Sequence, residues 1–225
     1  MPVDTDADIE ISAFNWVPPF AVGLVRDLRV RWALEEAGLP YRERLLDAET
    51  KQEPAYVREQ PFSQVPTYRR GDVRMFESGA IVLHIAEGCT ALMPQDPAGR
   101  ARVQSWVVAA LNSIEPEITE VTDIDLFHAG KDWAIARRPD AERNALKRLR
   151  QLSDWLGDRE YLEDRFTAGD LMMTSVLRIL RQTDLVSRLP NLHRYQARCE
   201  ARPAFTRALE AQLAPFRKHQ PAQAH

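Results

Sequence analysis

The sequence predicts a mixed α/β layer followed by an all-helical domain, and three observations carry that reading. Residues 8–90 alternate between strand-like and helix-like patterning in the order β-α-β, a short helical segment, then β-β-α. That layer is too small to be the whole chain. Beyond Met93–Ala98 the apolar residues keep helical spacing and no strand pattern recurs, so residues 97–217 form the second, all-helical domain.

Each element has a local cause. Ile9–Phe14 alternates apolar with small or polar residues, as a short strand does, and Asn15–Phe20 carries two prolines that interrupt regular structure. From Leu24 onward, Val25, Leu28 and Trp32 share one helix face, Leu34 widens it, and Gly38-Leu39-Pro40 stops it. Tyr41–Leu46 reads as a second strand. Val65–Tyr68 and Val73–Phe76 are β-rich, and Arg69-Arg70-Gly71-Asp72 between them suits a hairpin. A helix opens at Ser78.

In the second domain Val103, Val107, Ala110, Leu111 and Ile114 hold helical spacing, and Pro116 is expected to kink or end that helix. Leu146, Leu149, Leu152 and Leu156 form another apolar stripe. Leu171–Leu177 is apolar nearly all round and should be the central buried helix. Pro203 opens a last helix marked by Phe205, Leu209 and Leu213, and the tail Lys218–His225, without periodicity, is expected to fray.

Composition narrows the function classes. With 225 residues, 44% hydrophobic and 28% charged, the chain can bury substantial cores and is too apolar for disorder. Thirty Lys and Arg against 33 Asp and Glu leave a net charge of −3 and no basic stripe for a nucleic-acid backbone. No apolar run approaches the ~20 residues that span a bilayer, and Met1–Asp8 is acidic where a secretory leader is basic then apolar. A soluble cytoplasmic protein without a membrane partner is expected. Cys89 and Cys199 lack CxxC or His/Cys ligand spacing, and His84 and His128 lack HxxE or HxxxH spacing, so neither a disulfide framework nor a metal site is expected.

The informative stretch is Gln64-Val65-Pro66, a hairpin, then Glu77-Ser78-Gly79-Ala80-Ile81. A proline at a strand start cannot donate to the ladder, and a cis bond there would turn the Val65 N–H and C=O outward to pair with a peptide-like ligand. Glu77 and Ser78 open a helix whose free N–H groups and positive dipole end favour a carboxylate. Ser78 adds a hydroxyl and Glu77 an acceptor for an amine. An extended backbone beside an anion-binding helix start suits a γ-glutamyl peptide, which has a free carboxylate, an ammonium and amides to satisfy. Glutathione answers that description.

With Val30-Arg31-Trp32-Ala33-Leu34-Glu35-Glu36-Ala37-Gly38-Leu39-Pro40-Tyr41, Phe166-Thr167-Ala168-Gly169-Asp170 and Arg202-Pro203-Ala204-Phe205 in the same order, the chain resembles the cytosolic glutathione transferases over nearly its whole length. The resemblance implies a thioredoxin-like first domain, an all-helical second, glutathione as co-substrate and a homodimer. It assigns Val65, beside Pro66, to the cysteinyl backbone of glutathione, Glu77 and Ser78 to its γ-glutamyl end, and Gln64 with Lys51 to its glycine carboxylate, Gln52 being a neighbour. It also implies that Trp106, Ala110 and Ile114 on the fourth helix line a pocket for a small hydrophobic or disulfide substrate, joined by Trp16 and the connection from Phe127 to Pro139. Thr167 and Asp170 resemble a helix-capping box with a folding role.

One departure stands out. Active relatives activate the glutathione thiol with a Tyr, Ser or Cys near the start of the first helix, whereas Phe14 to Arg31 contains no Ser, Thr, Tyr or Cys. A cation, an amide donor or helix N–H groups also stabilise a thiolate, which makes Arg26 and Asn15 the catalytic candidates. Three functions stay open: a transferase joining the thiolate to an electrophile, a glutathione-dependent disulfide reductase or peroxidase, and a non-catalytic interaction module on the same scaffold.

Overall fold

A computed structural model describes residues 3–220 and divides the chain into two compact units, residues 3–92 with 202–220 and Met93–Ala201. The end of the tail, 221–225, lies outside the described residues.

In the first unit β1 (Ile9–Phe14) and β2 (Tyr41–Leu46) pair in parallel, joined through α1 (Asp27–Ala37). The short α2 (Pro54–Val57) precedes the hairpin of β3 (Thr67–Arg70) and β4 (Val73–Phe76), which adds antiparallel to β1 and completes the order β2-β1-β3-β4. Then α3 (Ser78–Glu87) follows. β3 begins at Thr67 rather than Val65, because Pro66 has no N–H to give to a ladder. The hairpin turn is tighter than the expected four residues: Arg70 pairs with Val73, and Gly71 takes φ +54° in the two-residue loop. α1 begins at Asp27 rather than Leu24. A 3₁₀ turn over Pro19–Ala21 and a positive φ of 73° at Gly23 keep Leu24–Arg26 in turn geometry.

The second unit is helical: α4 (Pro97–Ala109), α5 (Glu115–Phe127), α6 (Asp132–Leu156), α7 (Ala168–Leu177) and α8 (Pro190–Glu200). Every residue of α7 is buried, as its apolar run predicts. Pro116 does not end a helix. A π turn over Ala110–Ile114 carries α4 into α5, and Pro116, which has no N–H to give, stands just past that break in the regular α ladder. The expected connection from Phe127 to Pro139 is also mostly helix, since α6 starts at Asp132 and contains Pro139. α4 passes so close to α7 that a Cβ added at Gly169 would lie 2.7 Å from the Trp106 Cβ.

The last helix, α9 (Pro203–Lys218), packs against α1 in the first unit, although its sequence pattern continues the helical run of 97–217. Charged pairs fasten it there: Arg202 donates to Glu36 at 2.6 and 2.8 Å and Arg207 to Glu35 at 2.6 Å. Phe205 meets Trp32 edge to face, with centroids 4.8 Å apart. Gln212 donates to the Asp27 carboxylate at 2.7 Å and to the Val25 carbonyl at 3.1 Å. Covered in this way, α1 is buried from Asp27 to Glu35, charges included. Arg31 therefore carries its own counter-ions, donating to Asp27 at 2.7 Å and to Glu43. Burial raises the Asp27 carboxyl above its ordinary value, against the opposing pull of Arg31.

Candidate functional site

The topology brings chemistry-bearing residues to one end of the sheet. Phe14 ends β1, Lys51 lies just past the end of β2, Arg26 caps the start of α1, and Ser63, Gln64 and Val65 immediately precede β3. With Leu24 and Val25 they line a cleft of about 290 Å³. The Lys51 ammonium stands 5.6 Å from the centre of the Phe14 ring, a cation–π distance. The Val65–Pro66 peptide bond is cis, and among the described residues no backbone partner takes the Val65 N–H or C=O.

A directed chain of hydrogen bonds holds this loop. Arg44 donates to Thr67 Oγ1 at 3.1 Å, Thr67 Oγ1 to Ser12 at 3.0 Å, Ser12 meets the Tyr56 hydroxyl at 2.8 Å, and that hydroxyl donates to the Gln64 carbonyl at 2.6 Å. The Thr67 N–H, which a ladder would otherwise use, also goes to Ser12, at 2.7 Å. Burial raises the Tyr56 hydroxyl above its ordinary value, which keeps it protonated as a donor. Tyr56→Phe strips the Gln64 carbonyl and Ser12 of this partner, so we expect a loss of about 1–2 kcal/mol in stability and weaker ligand binding at Val65. Urea unfolding and a binding titration on the variant check both.

Glu77 and Ser78 stand at the same end of the sheet. Thr67 pairs with Phe76 at the open end of the hairpin, so each strand's next residue outward is Pro66 on one side and Glu77 on the other. Glu77 takes φ +68°, and Ser78 begins α3 as a buried residue. The buried Arg29 of α1 donates to the Ser78 hydroxyl at 3.3 Å, leaving the serine's own hydrogen for an acceptor beyond it. The helix start and this guanidinium together give the position a positive potential.

Of the two catalytic candidates, Arg26 lines the cleft and Asn15 does not. The Asn15 N–H instead extends the β1–β2 pairing by donating to the Leu46 carbonyl at 2.9 Å. Among the described residues the lining also omits Trp16, Gln52, Pro66, Glu77 and Ser78; Trp16 is half-buried and Gln52 exposed. In the helical unit Trp106 lies on α4 and Ala110 and Ile114 on the π turn that follows it, and each packs within the unit. Ala110 and Ile114 are buried beside α7. Trp106 donates its ring N–H to Glu163 at 2.8 Å and tilts against Trp155 at 5.3 Å. Helical spacing identifies a helix face without saying whether a ligand or a neighbouring helix covers it. Among the described residues no group of three His, Cys, Asp or Glu side chains is arranged to hold a metal, and no helix is long and apolar enough to cross a membrane.

Residues 20–87 match the family model of the glutathione S-transferase N-terminal domain. A glutathione S-transferase of Hyoscyamus muticus is 30% identical over 173 residues, which is 71% of this chain and 80% of the relative. The chain belongs to the glutathione S-transferase family. A glutathione transferase from Burkholderia graminis, solved with two glutathione molecules bound per subunit, superposes with a TM-score of 0.78 at 26% identity, over 90% of this chain and 88% of that one. A tetrachloro-p-hydroquinone reductive dehalogenase of Sphingobium chlorophenolicum is 24% identical over 241 residues, covering 88% of this chain and 95% of its own.

This glutathione S-transferase family member has the thioredoxin-like first unit and helical second unit that the resemblance implies. Sequence reasoning missed Tyr56, Ser12, Thr67 and Arg29. One signal was available for Ser12: it stands between Ile11 and Ala13 in β1, and a polar residue buried among apolar neighbours needs a partner. Arg29 carried no such signal, because its partner lies 49 residues away.

Proposed function

We propose that the protein binds glutathione at the end of the first unit's sheet and uses its thiolate against a small electrophile. The observation that supports this best is the convergence of Lys51, Gln64, Val65 and Arg26 on one cleft, with the Val65 backbone groups unpaired among the described residues. In this reading Val65 pairs with the cysteinyl backbone beside Pro66, and Lys51 with Gln64 attracts the glycine carboxylate. Ser78, its hydroxyl polarised by Arg29, and Glu77 hold the γ-glutamyl carboxylate and ammonium, and Gln52 borders the site.

Arg26 then supplies the charge that favours the thiolate, the role a hydroxyl plays in other family members. The thiol proton leaves to solvent, the sulfur attacks an electrophilic carbon, and the carbon–sulfur bond forms as the bond to a leaving group such as chloride breaks. We expect glutathione-dependent release of chloride from an activated aryl chloride, with the rate reduced in Arg26→Ala. No release above the uncatalysed rate, across a panel of such electrophiles, counts against the transferase reading.

A second reading is a disulfide reductase. It is favoured by the Burkholderia relative, which holds two glutathione molecules per subunit. There the thiolate of one glutathione attacks the glutathionyl sulfur of a mixed disulfide, the S–S bond breaks, and glutathione disulfide leaves with the freed substrate thiol. The same site serves both readings. We further propose a homodimer, which would cover the exposed apolar side chains of Phe62, Val73 and Phe76.

A further inference from the structure

The cleft contains a residue with no assigned role. Ser63 lines it beside Lys51 and Gln64, and it adopts φ +52°, a left-handed conformation that disfavours any residue with a Cβ. Its N–H is spent on the Gln60 carbonyl at 3.0 Å, whereas its hydroxyl has no hydrogen-bond partner among the described residues. Glycine would occupy this conformation without steric cost. Of the eight lining residues, Ser63 is also the only one with a hydroxyl. A side chain kept against its backbone preference, unpaired and facing a cleft with a cation, has the chemistry of a donor to an anionic ligand group.

We infer that the Ser63 hydroxyl donates to the glycine carboxylate of glutathione beside the Lys51 ammonium, and so sets affinity for the carboxylate end of the peptide. This rests on the glutathione reading proposed above. The left-handed backbone carries the hydroxyl at this point of the loop, which explains serine where glycine would relax the chain.

Two substitutions separate hydroxyl from backbone. Ser63→Gly relieves the left-handed conformation, so its Tm should rise by a few degrees while its Kd for glutathione weakens about tenfold. Ser63→Ala keeps the Cβ and should weaken binding equally without gaining Tm. With glutathione esterified at the glycine carboxylate, all three proteins should bind alike. Wild-type affinity for glutathione in Ser63→Ala would overturn the inference alone, as would an equal penalty on the ester. Failure of the unaltered protein to bind glutathione would overturn the glutathione reading, and this inference with it.

Discussion

Asp170→Asn is expected to destabilise the protein by about 2–4 kcal/mol at neutral pH, lowering Tm by roughly 5–15 °C. The reason is the distribution of donors around the carboxylate. Oδ1 accepts from the Leu162 N–H at 2.8 Å and the Tyr195 hydroxyl at 3.1 Å, and Oδ2 from the Thr167 N–H at 2.9 Å and its hydroxyl at 3.1 Å. Each oxygen thus serves one backbone N–H. An asparagine has only one oxygen, so in either orientation its amide nitrogen faces a backbone donor that cannot accept, inside a fully buried site. Chemical unfolding compares the two proteins directly.

The same residue has a pH signature. Burial outweighs the four hydrogen bonds and pushes the Asp170 carboxyl up to about 6. Between the ordinary carboxylate range near 4 and that value, the folded protein binds more proton at this site than the unfolded chain does. The share of stability that comes from this extra proton is therefore fully present below about 4 and is lost as pH rises through about 6, whereas the hydrogen bonds to the carboxylate persist at neutral pH. The difference in unfolding free energy between wild type and Asp170→Asn should accordingly narrow from pH 4 to pH 7. A gap that widens over this range would contradict the assignment.

The second large effect is on binding. Ser78→Ala should weaken glutathione affinity by about 10- to 100-fold, the range for losing a hydrogen bond to a charged group. The buried Arg29 charge stays in place but loses the hydroxyl to which it donates, and which the proposed reading places against the γ-glutamyl carboxylate. Cysteinylglycine, which lacks the γ-glutamyl group, should bind wild type and variant alike. Calorimetric titration with both peptides measures the difference, and equal affinity for glutathione in the two proteins would place the γ-glutamyl end elsewhere.

Much of this molecule was legible in its sequence because its signals are local. Alternation in Ile9–Phe14, the all-round apolar run of Leu171–Leu177 and the Thr167–Asp170 spacing each depend on a few adjacent residues, and each forms the expected element. The resemblance grouped Lys51, Gln64 and Val65, and all three line one cleft. What escaped depends on partners distant in sequence. The pattern of α9 shows an amphipathic helix but not that α1 covers its apolar face, and nothing near Arg29 or Arg31 in sequence shows that Ser78 and Glu43 stand beside them. Pro116 signals a kink or an end of the helix, and the regular α pattern does break just before it, but the π turn that bridges the break carries no residue-type signal of its own.

The central claim is that this cleft binds glutathione as a thiolate without a hydroxyl from the first helix. An ultraviolet pH titration of glutathione added to the protein tests it most directly, since thiolate absorbance reports occupancy and ionisation together. Bound glutathione should ionise well below the ordinary thiol value of about 8.5, with the shift reduced in Arg26→Ala. An ionisation midpoint at the free-peptide value, or no bound thiolate at any pH, would contradict it.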